Sequence, residues 1–155
     1  MIAIRRAADA DRLAIATLHE ASIRRLTTAH YTPEQIESWV GVLRPERYPL
    51  DTSFFVVAVD DESVVGFGEY HDAEIAAVYI HPSHVGRGIG RMIFDALENE
   101  ARGSGATSLH VTSSLNAVAF YEACGFQREG EATYTSRGGR EIPCRRLTKQ
   151  LSPRA

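Results

Sequence analysis

Three glycines in alternate positions, Gly86, Gly88 and Gly90, mark the segment of this sequence that is best suited to hold an anion. They follow a predicted strand and lead directly into a predicted helix. Glycine permits positive φ and lets the backbone approach a ligand closely. The first turn of a helix has free N–H groups and a partial positive charge. With the charges of Arg87 and Arg91 at its mouth, the pattern predicts a site for a pyrophosphate.

Two common nucleotide-binding motifs do not fit this loop. A Walker loop ends in Gly-Lys-Ser/Thr, whereas Arg91-Met92 stands where Lys-Ser/Thr is required. A dinucleotide-binding fingerprint spaces its glycines as GxGxxG in the first βαβ unit. Here the three glycines are evenly spaced, and no βαβ unit precedes them. A tight strand-to-helix turn that binds nothing remains as the structural alternative.

A second motif begins 25 residues after Arg91 and runs from Asn116 through Phe120-Tyr121 to Gly125-Phe126. Together the two motifs resemble those of the GNAT superfamily of N-acetyltransferases. In that family a loop of the form [Q/R]xxGx[G/A] follows a strand, and a later helix carries the second motif. The resemblance covers nearly the whole chain. It departs from the family pattern at Val85, where Gln or Arg is usual, but this position contributes mainly backbone.

The resemblance implies acetyl-CoA as co-substrate, while the spacing of the histidines gives no reason to expect a metal. The backbone of the strand before the loop would pair with the pantetheine arm like an added strand, and the loop amides would hold the pyrophosphate. The side chain of Asn116 would bond the arm, and Tyr121 would act as general acid beside the leaving thiolate. A helix cap and a core aromatic are the alternatives for these two residues. The implied cofactor-binding residues are Val78, Tyr79, Ile80, Val85, Gly86, Arg87, Gly88, Ile89, Gly90, Arg91 and Asn116.

Transfer to an amine also requires a group that removes a proton from the ammonium form. The family often uses a carboxylate on the middle strands, which by location means Glu69 or Glu74, with His71 and His81 as alternatives. Glu69 follows a glycine at which a bend in the strand is expected. We predict Glu69 as the second catalytic residue, against the alternative that each carboxylate is only a surface group.

The segment from Thr28 to Trp39 resembles the HY[ST]PEQIxxW segment of a subgroup of small bacterial GNAT proteins. In the family this region covers the acceptor site. Tyr31 and Trp39 are therefore predicted to line an amine pocket, by packing or by cation–π contact. The alternative for Trp39 is that it docks the helix on the sheet.

These groups must be positioned by a mixed sheet with hairpins at both ends. The first helix is expected after Asp9 or Asp11 as cap, with Leu13, Ala14, Leu18 and Ala21 on its buried face. Thr32-Pro33-Glu34-Gln35 predicts the start of the second helix as a capping box. The predicted fold class is α/β (α+β), a GNAT-like, mostly antiparallel sheet of six to seven strands with about four helices. Strands are predicted at Met1–Ala7, Ser53–Val59, Ser63–Tyr70, Ala73–His81, Thr107–Thr112, Gly125–Tyr134 and Ile142–Leu151, and later helices at Ile89–Arg102 and Leu115–Ala123.

Composition limits the classes of function. The 155 residues suit one domain spanning 1–155, and the net charge of −3 argues against a nucleic-acid partner. No apolar run approaches the roughly 20 residues that span a bilayer, so no membrane partner is expected. Cys124 and Cys144 are too few for a disulfide scaffold, which favours a cytoplasmic protein. No histidine spacing typical of a metal site is present. A homodimer is compatible with the resemblance.

The resemblance and the absence of a credible protein nucleophile lead to one prediction. The protein transfers an acetyl group from acetyl-CoA to a primary amine by direct attack in a ternary complex, and the acceptor is a small molecule. One alternative is a non-catalytic acyl-CoA-binding sensor on the same fold. The other is an acetyltransferase that acts on protein lysines or N-termini. Because Arg87 and Arg91 lie at the loop, the acidic excess is expected elsewhere, for example at an amine-attracting site.

Overall fold

The computed structural model describes residues 1–152, which form seven strands and four α-helices. The strands are β1 (Ile2–Arg6), β2 (Phe54–Asp60), β3 (Ser63–His71), β4 (Glu74–Ile80), β5 (Ser108–Ser114), β6 (Gln127–Thr135) and β7 (Glu141–Gln150). The helices are α1 (Arg12–Leu26), α2 (Pro33–Val40), α3 (Ile89–Gly103) and α4 (Val118–Ala123). Within these residues the strands lie within about two residues of their predicted bounds.

All seven strands form one sheet in the order β1-β2-β3-β4-β5-β7-β6. Every neighbouring pair is antiparallel except β4 and β5, which are parallel. The mixed, mostly antiparallel sheet with four helices confirms the predicted fold class. The parallel pair exists because α3 connects β4 to β5, and a crossover helix returns the chain in the same direction.

Helix α3 packs on one face of the sheet through a regular apolar stripe of Ile89, Ile93, Phe94 and Leu97. The stripe lies against β3 at Gly66 and Gly68, where a side chain would not fit. A Cβ on Gly66 would stand 2.9 Å from Ile93 Cδ1, and one on Gly68 would overlap Ile93 more severely. The close approach expected of these glycines is therefore present.

Helix α1 packs on the opposite face. Of its predicted buried residues Leu18 is buried, Ala14 and Ala21 are half-buried, and Leu13 is not buried. The buried residues of α1 include Ile15, Leu18, Ser22 and Ile23, whereas Leu13 is 71% exposed. Residues 13 and 18 are five positions apart, which places them about 140° apart around a helix. Leu13 was thus wrongly assigned to the buried face.

The start of α1 differs from a simple side-chain cap. Asp11 precedes the helix, but its carboxylate accepts the Ala8 N–H at 2.8 Å and pairs with the Arg5 guanidinium through two bonds of 2.8 and 2.9 Å. The guanidinium hydrogen bonds hold the pKa of the Asp11 carboxyl below its usual value. This pair ties the end of β1 to the entry of α1.

Helix α2 begins as the sequence predicts. Thr32 Oγ1 accepts the Gln35 N–H at 3.1 Å, and Gln35 Oε1 accepts the Thr32 N–H at 2.9 Å. Pro33 occupies the first helical position. The apolar side of α2, including Trp39, packs with Ile142 and Cys144 of β7 in a separate small core.

No helix among residues 1–152 is both long and apolar enough to cross a bilayer. The same part of the chain contains no cluster of three or more His, Cys, Asp or Glu residues arranged to hold a metal ion.

Candidate active site

The parallel strands β4 and β5 separate soon after they begin. They pair only at Glu74 with His110 and at Ile75 with Val111. Beyond Ile75 no strand within residues 1–152 pairs with the β5-facing edge of β4. A cavity lies on each side of this opening, and both cavities share wall residues from the two strands: Ile75, Ala76, Ala77, Tyr79, Thr112 and Ser114.

The first cavity, here called the loop-side cavity, has a volume of about 310 Å³. It lies between the open edge of β4, the start of α3 and the short helix α4. Ser22 of α1 and Thr27, which follows α1, also line it. Its lining includes Val78, Tyr79, Ile80, Val85, Gly90, Asn116, Phe120 and Tyr121. Two separate motifs of the sequence thus meet in one cavity.

The glycine loop adopts the conformation that its sequence anticipates. Gly86 and Gly88 have φ of 77° and 79°, in the left-handed region, and Gly88 is the N-cap of α3. No atom lies within 4 Å of a Cβ built on either residue. Gly90 is different, since a Cβ there would stand 3.0 Å from Phe120 Cε1. Two glycines therefore leave open space at the helix start, and the third permits contact between α3 and α4.

The charged residues of the loop differ in their surroundings. Arg87 is exposed, and its one acidic contact within residues 1–152 is a long one, with Nη2 3.9 Å from an Asp60 carboxylate oxygen. Arg91 bonds Asp95 at 3.0 Å and the Ala123 carbonyl at 3.3 Å. Arg91 is therefore engaged along α3 and α4, and Arg87 is the freer of the two cations.

Backbone groups of β4 alternate between its two neighbours. The N–H of His81, just after β4, donates to the carbonyl of Val65 in β3 at 2.8 Å. By alternation Val78 and Ile80 turn their N–H and C=O groups to the open edge, while the backbone of Tyr79 faces β3. The ring of Tyr79 lies in the wall between the cavities.

Asn116 carries a polar atom without a partner. Its Oδ1 is buried and makes no hydrogen bond within the described residues. It does not act as a helix cap, because neither the short turn at 115–117 nor α4 receives a side-chain cap bond. A buried acceptor without a donor is costly, so an Asn116 oxygen in a cavity wall fits a ligand that donates an N–H.

Tyr121 is 4% exposed and packs edge-on against Phe120 and Phe126. It lines the loop-side cavity, and its hydroxyl has no hydrogen-bond partner within residues 1–152. Burial raises the pKa of Tyr121 well above its ordinary value, with smaller contributions from Tyr79 and Cys124. The hydroxyl therefore keeps its proton at neutral pH and is free to donate it into the cavity.

The second cavity, here called the hairpin-side cavity, has a volume of about 340 Å³. Side chains from α1, α2, the loop before β2, strands β3 to β5 and the β6–β7 hairpin surround it. They include His19, Trp39, Arg47, Tyr48, Phe67, Glu69, Glu74, Tyr134 and Arg137. This cavity and the loop-side cavity adjoin at the opening between β4 and β5, where they share wall residues of both strands.

Both predicted carboxylates lie in this second cavity, but their environments differ. Glu69 accepts a hydrogen bond from Ser53 Oγ at 2.9 Å, and the register of β3 shifts directly after it. Burial raises the pKa of Glu69, and this effect outweighs the opposite influence of Ser53 and His71. Glu74 instead forms two bonds with the Arg146 guanidinium, at 3.1 and 2.5 Å. Glu69 is therefore the more available base.

His19 was missed by the sequence analysis. Its Nδ1 lies 2.9 Å from the Tyr48 hydroxyl, and its ring centroid is 4.3 Å from that of Tyr79. Burial lowers the pKa of His19 to about 4, aided by the positive charge of Arg137, so the imidazole is neutral at pH 7. The signal in the sequence was helical spacing, since His19 lies four residues after Ile15 and four before Ile23, both buried.

The remaining predicted residues lie in different places. Trp39 lines the hairpin-side cavity. Tyr31 lies behind Trp39, edge-on at 5.3 Å between centroids, and its hydroxyl donates to the Pro143 carbonyl and accepts the Leu115 N–H. Tyr31 lines neither cavity, and its role toward an acceptor stays a prediction. His71 and His81 also lie outside both cavities.

Comparison with known proteins agrees with this geometry. The sequence matches the acetyltransferase (GNAT) domain family over residues 27–145. A comparison with curated proteins gives no match. A GCN5-related N-acetyltransferase from Rhodopseudomonas palustris is 30% identical, with a TM-score of 0.91 over 96% of this chain and 95% of that one.

Two less similar structures share the fold. PaiA N-acetyltransferase from Thermoplasma acidophilum, solved with coenzyme A, is 20% identical, with a TM-score of 0.75 over 97% of this chain and 99% of that one. YncA from Salmonella typhimurium, solved with its cofactor acetyl-CoA, is 22% identical, with a TM-score of 0.73 over 99% of this chain and 96% of that one. With more than half of its length matched by the family, the chain belongs to the GNAT acetyltransferases.

Proposed function

We propose that this protein transfers the acetyl group of acetyl-CoA to the primary amine of a small molecule, by direct attack within a ternary complex. The observation that carries the proposal is the meeting of two cavities at the opening between β4 and β5. One cavity has the features of a cofactor site, and the other contains an available carboxylate. Two reactants that enter from opposite sides would meet without a covalent enzyme intermediate.

The loop-side cavity fits acetyl-CoA on several counts. The left-handed glycines leave open space at the helix start for a pyrophosphate, and the edge of β4 offers free backbone groups to an extended amide arm. The unpartnered Asn116 oxygen would accept an N–H of that arm. PaiA and YncA, which share the fold, were solved with coenzyme A and acetyl-CoA. When bound, acetyl-CoA would supply the thioester carbonyl that the amine attacks.

Glu69 would act as the general base and Tyr121 as the general acid. The Glu69 carboxylate would take a proton from the acceptor ammonium, directly or through water, because only the neutral amine is nucleophilic. The Tyr121 hydroxyl would donate its proton to the sulfur that leaves as a thiolate. The two residues line different cavities, in keeping with an acid and a base on opposite sides of the reacting bond.

Thiol release tests the proposal. Purified protein with acetyl-CoA is mixed with amino acids, polyamines, aminoglycosides and lysine-containing peptides, and free CoA thiol is measured with a chromogenic reagent. We expect release that depends on a small amine and yields the N-acetyl product by mass spectrometry. Release only with peptides would favour a protein acetyltransferase. Binding of acetyl-CoA without release for any amine would favour the non-catalytic sensor.

A second test addresses Glu69. Since the base acts when deprotonated, kcat/KM should rise with pH through the pKa of Glu69, which lies above the ordinary glutamate value. Glu69→Gln should remove this rise, the acidic limb of the pH profile, and lower kcat/KM by about a hundredfold or more. Ser53→Ala should shift the limb to higher pH, because the Ser53 hydroxyl lowers the pKa of Glu69.

Glu74→Gln provides the comparison for this test. Glu74 lines the same cavity but is paired with Arg146. A limb that survives in Glu69→Gln and disappears in Glu74→Gln would transfer the role of base to Glu74.

A further inference from the structure

Two arginines that line the hairpin-side cavity have no partner among the residues that the structure describes. Arg47 lies in the loop before β2, and Arg137 lies in the β6–β7 hairpin. Both are exposed and line the cavity, and within residues 1–152 neither guanidinium makes a hydrogen bond or ion pair. Glu74, which also lines the cavity, is paired with the Arg146 guanidinium. Of the four glutamates and arginines that line the cavity, only Arg47 and Arg137 are exposed.

The inner part of the cavity has the opposite character. Glu69 is the carboxylate that pairs with no Lys or Arg within residues 1–152, and its hydrogen-bond partner is the Ser53 hydroxyl. His19 contributes no charge at neutral pH, since its pKa is lowered to about 4. The positive charge of Arg137 is felt inside the cavity, because it helps to lower the pKa of His19 and opposes the rise in the pKa of Tyr48. The cavity thus has a carboxylate inside and guanidinium groups at its mouth.

We infer that the acceptor is a zwitterion, an amine that carries an oxyanion a few bonds away, as α-amino acids and aminophosphonates do. This inference rests on the proposed function of the site. The ammonium end would enter toward Glu69 and the opening between β4 and β5. The oxyanion would remain at the mouth, where Arg47 and Arg137 offer planar donors that match carboxylate and phosphonate oxygens.

The same arrangement disfavours other amines. A diamine or polyamine would place a second cation beside two unpaired guanidinium groups, where like charges repel. A lysine within a peptide has no oxyanion close to its amine. The volume of about 340 Å³ lies at the lower end of the range for small-molecule pockets, which suits an acceptor of amino-acid size.

Matched acceptors test the charge requirement. Each amino acid is compared with its primary amide, which retains the amine and removes the negative charge, and aminoalkylphosphonates are assayed beside them. Basicity alone would favour the amide, because its amine loses a proton more readily. We expect kcat/KM for the acid or phosphonate to exceed that for the amide by about ten- to hundredfold. Equal or faster reaction with amides or diamines overturns the inference.

Arginine variants assign the effect to residues. Arg137→Gln and Arg47→Gln should reduce the preference for the acid over its amide, mainly through KM for the acid, with the amide little affected. Arg140→Gln, in the same hairpin, and Arg44→Gln, in the same loop, are matched controls. Both control residues are exposed and lie outside the cavity lining. If the cavity variants behave like the controls, the inference is wrong.

A binding experiment separates this inference from the proposed function. Trp39 is the only tryptophan and lines the cavity, so its fluorescence reports on occupancy. With CoA-saturated protein, amino acids or aminophosphonates should change this signal at lower concentrations than their uncharged counterparts, and Arg137→Gln should weaken the response. This result without thiol release would refute catalysis and retain the zwitterion site. Thiol release without any charge preference would retain catalysis and refute the zwitterion.

Discussion

Replacement of Tyr121 by Phe should lower kcat by about a hundredfold or more and leave the affinity for acetyl-CoA unchanged. General acid catalysis contributes on this scale, and the substitution removes only the hydroxyl. The ring, which packs against Phe120 and Phe126, keeps its contacts. Because the hydroxyl has no partner within residues 1–152, its loss leaves no other group unsatisfied. Turnover is measured by thiol release and affinity by calorimetry.

Tyr70→Phe is the matched control for this change. Tyr70 is also buried in the core beneath α3, but its hydroxyl accepts the Ala73 N–H at 3.1 Å, away from both cavities. It should lower stability slightly without a comparable effect on kcat. The raised pKa of Tyr121 also implies that deprotonation of this residue contributes no fall in wild-type activity within the ordinary tyrosine range or below it. If Tyr121→Phe retains wild-type turnover across the whole pH range, the hydroxyl is not the acid.

Replacement of Gly88 by Leu should weaken acetyl-CoA binding by at least about tenfold. The residue has φ of 79°, which costs a residue with a Cβ roughly 1–2 kcal/mol. Its Cβ would point into open space at the start of α3. The leucine would therefore either occupy the space available to the pyrophosphate or turn the loop and redirect its N–H donors. Calorimetric titration with acetyl-CoA measures the loss.

Gly105→Leu is the control that separates the effect of backbone strain on stability from the loss of acetyl-CoA affinity. Gly105 has φ of 86°, and a Cβ on it also meets no atom within 4 Å. It lies in the turn between α3 and β5, outside the lining of both cavities at the site. Both variants should lower the melting temperature, but only Gly88→Leu should lose affinity. Normal binding by folded Gly88→Leu would refute the assignment of the loop.

The features that follow from the sequence are those that depend on neighbouring residues. The capping box at Thr32 and Gln35 involves residues three apart, and it forms as predicted. The left-handed turn at Gly86 and Gly88 depends on residues without a Cβ, so it is also readable in the sequence. Strand positions follow from runs of β-branched and aromatic residues. The burial of Leu13 in α1 is predicted wrongly, because Leu13 is apolar yet lies off the stripe that contacts the sheet.

The acceptor side of the site illustrates the opposite case. The sequence favours Glu69 over Glu74 only through the glycine that precedes Glu69. The Arg146 side chain, 72 residues beyond Glu74, is what separates a paired carboxylate from an available one. His19, Arg47 and Arg137 belong to three distant segments, and no local pattern indicates that they line one cavity. The Tyr31 hydroxyl joins the Pro143 carbonyl and the Leu115 N–H, which the sequence also does not indicate.

The sequence by itself determined the family, the left-handed glycine turn before α3 and the tyrosine at the loop-side cavity, because short-range backbone preferences and a spaced motif carry them. Only the tertiary structure decided that β4 and β5 separate after two residue pairs. It also decided that a neutral histidine and two arginines without a partner among residues 1–152 line the same cavity as Glu69. These features depend on burial and on charges from segments remote in the chain, and such long-range effects arise only when the sheet and helices pack.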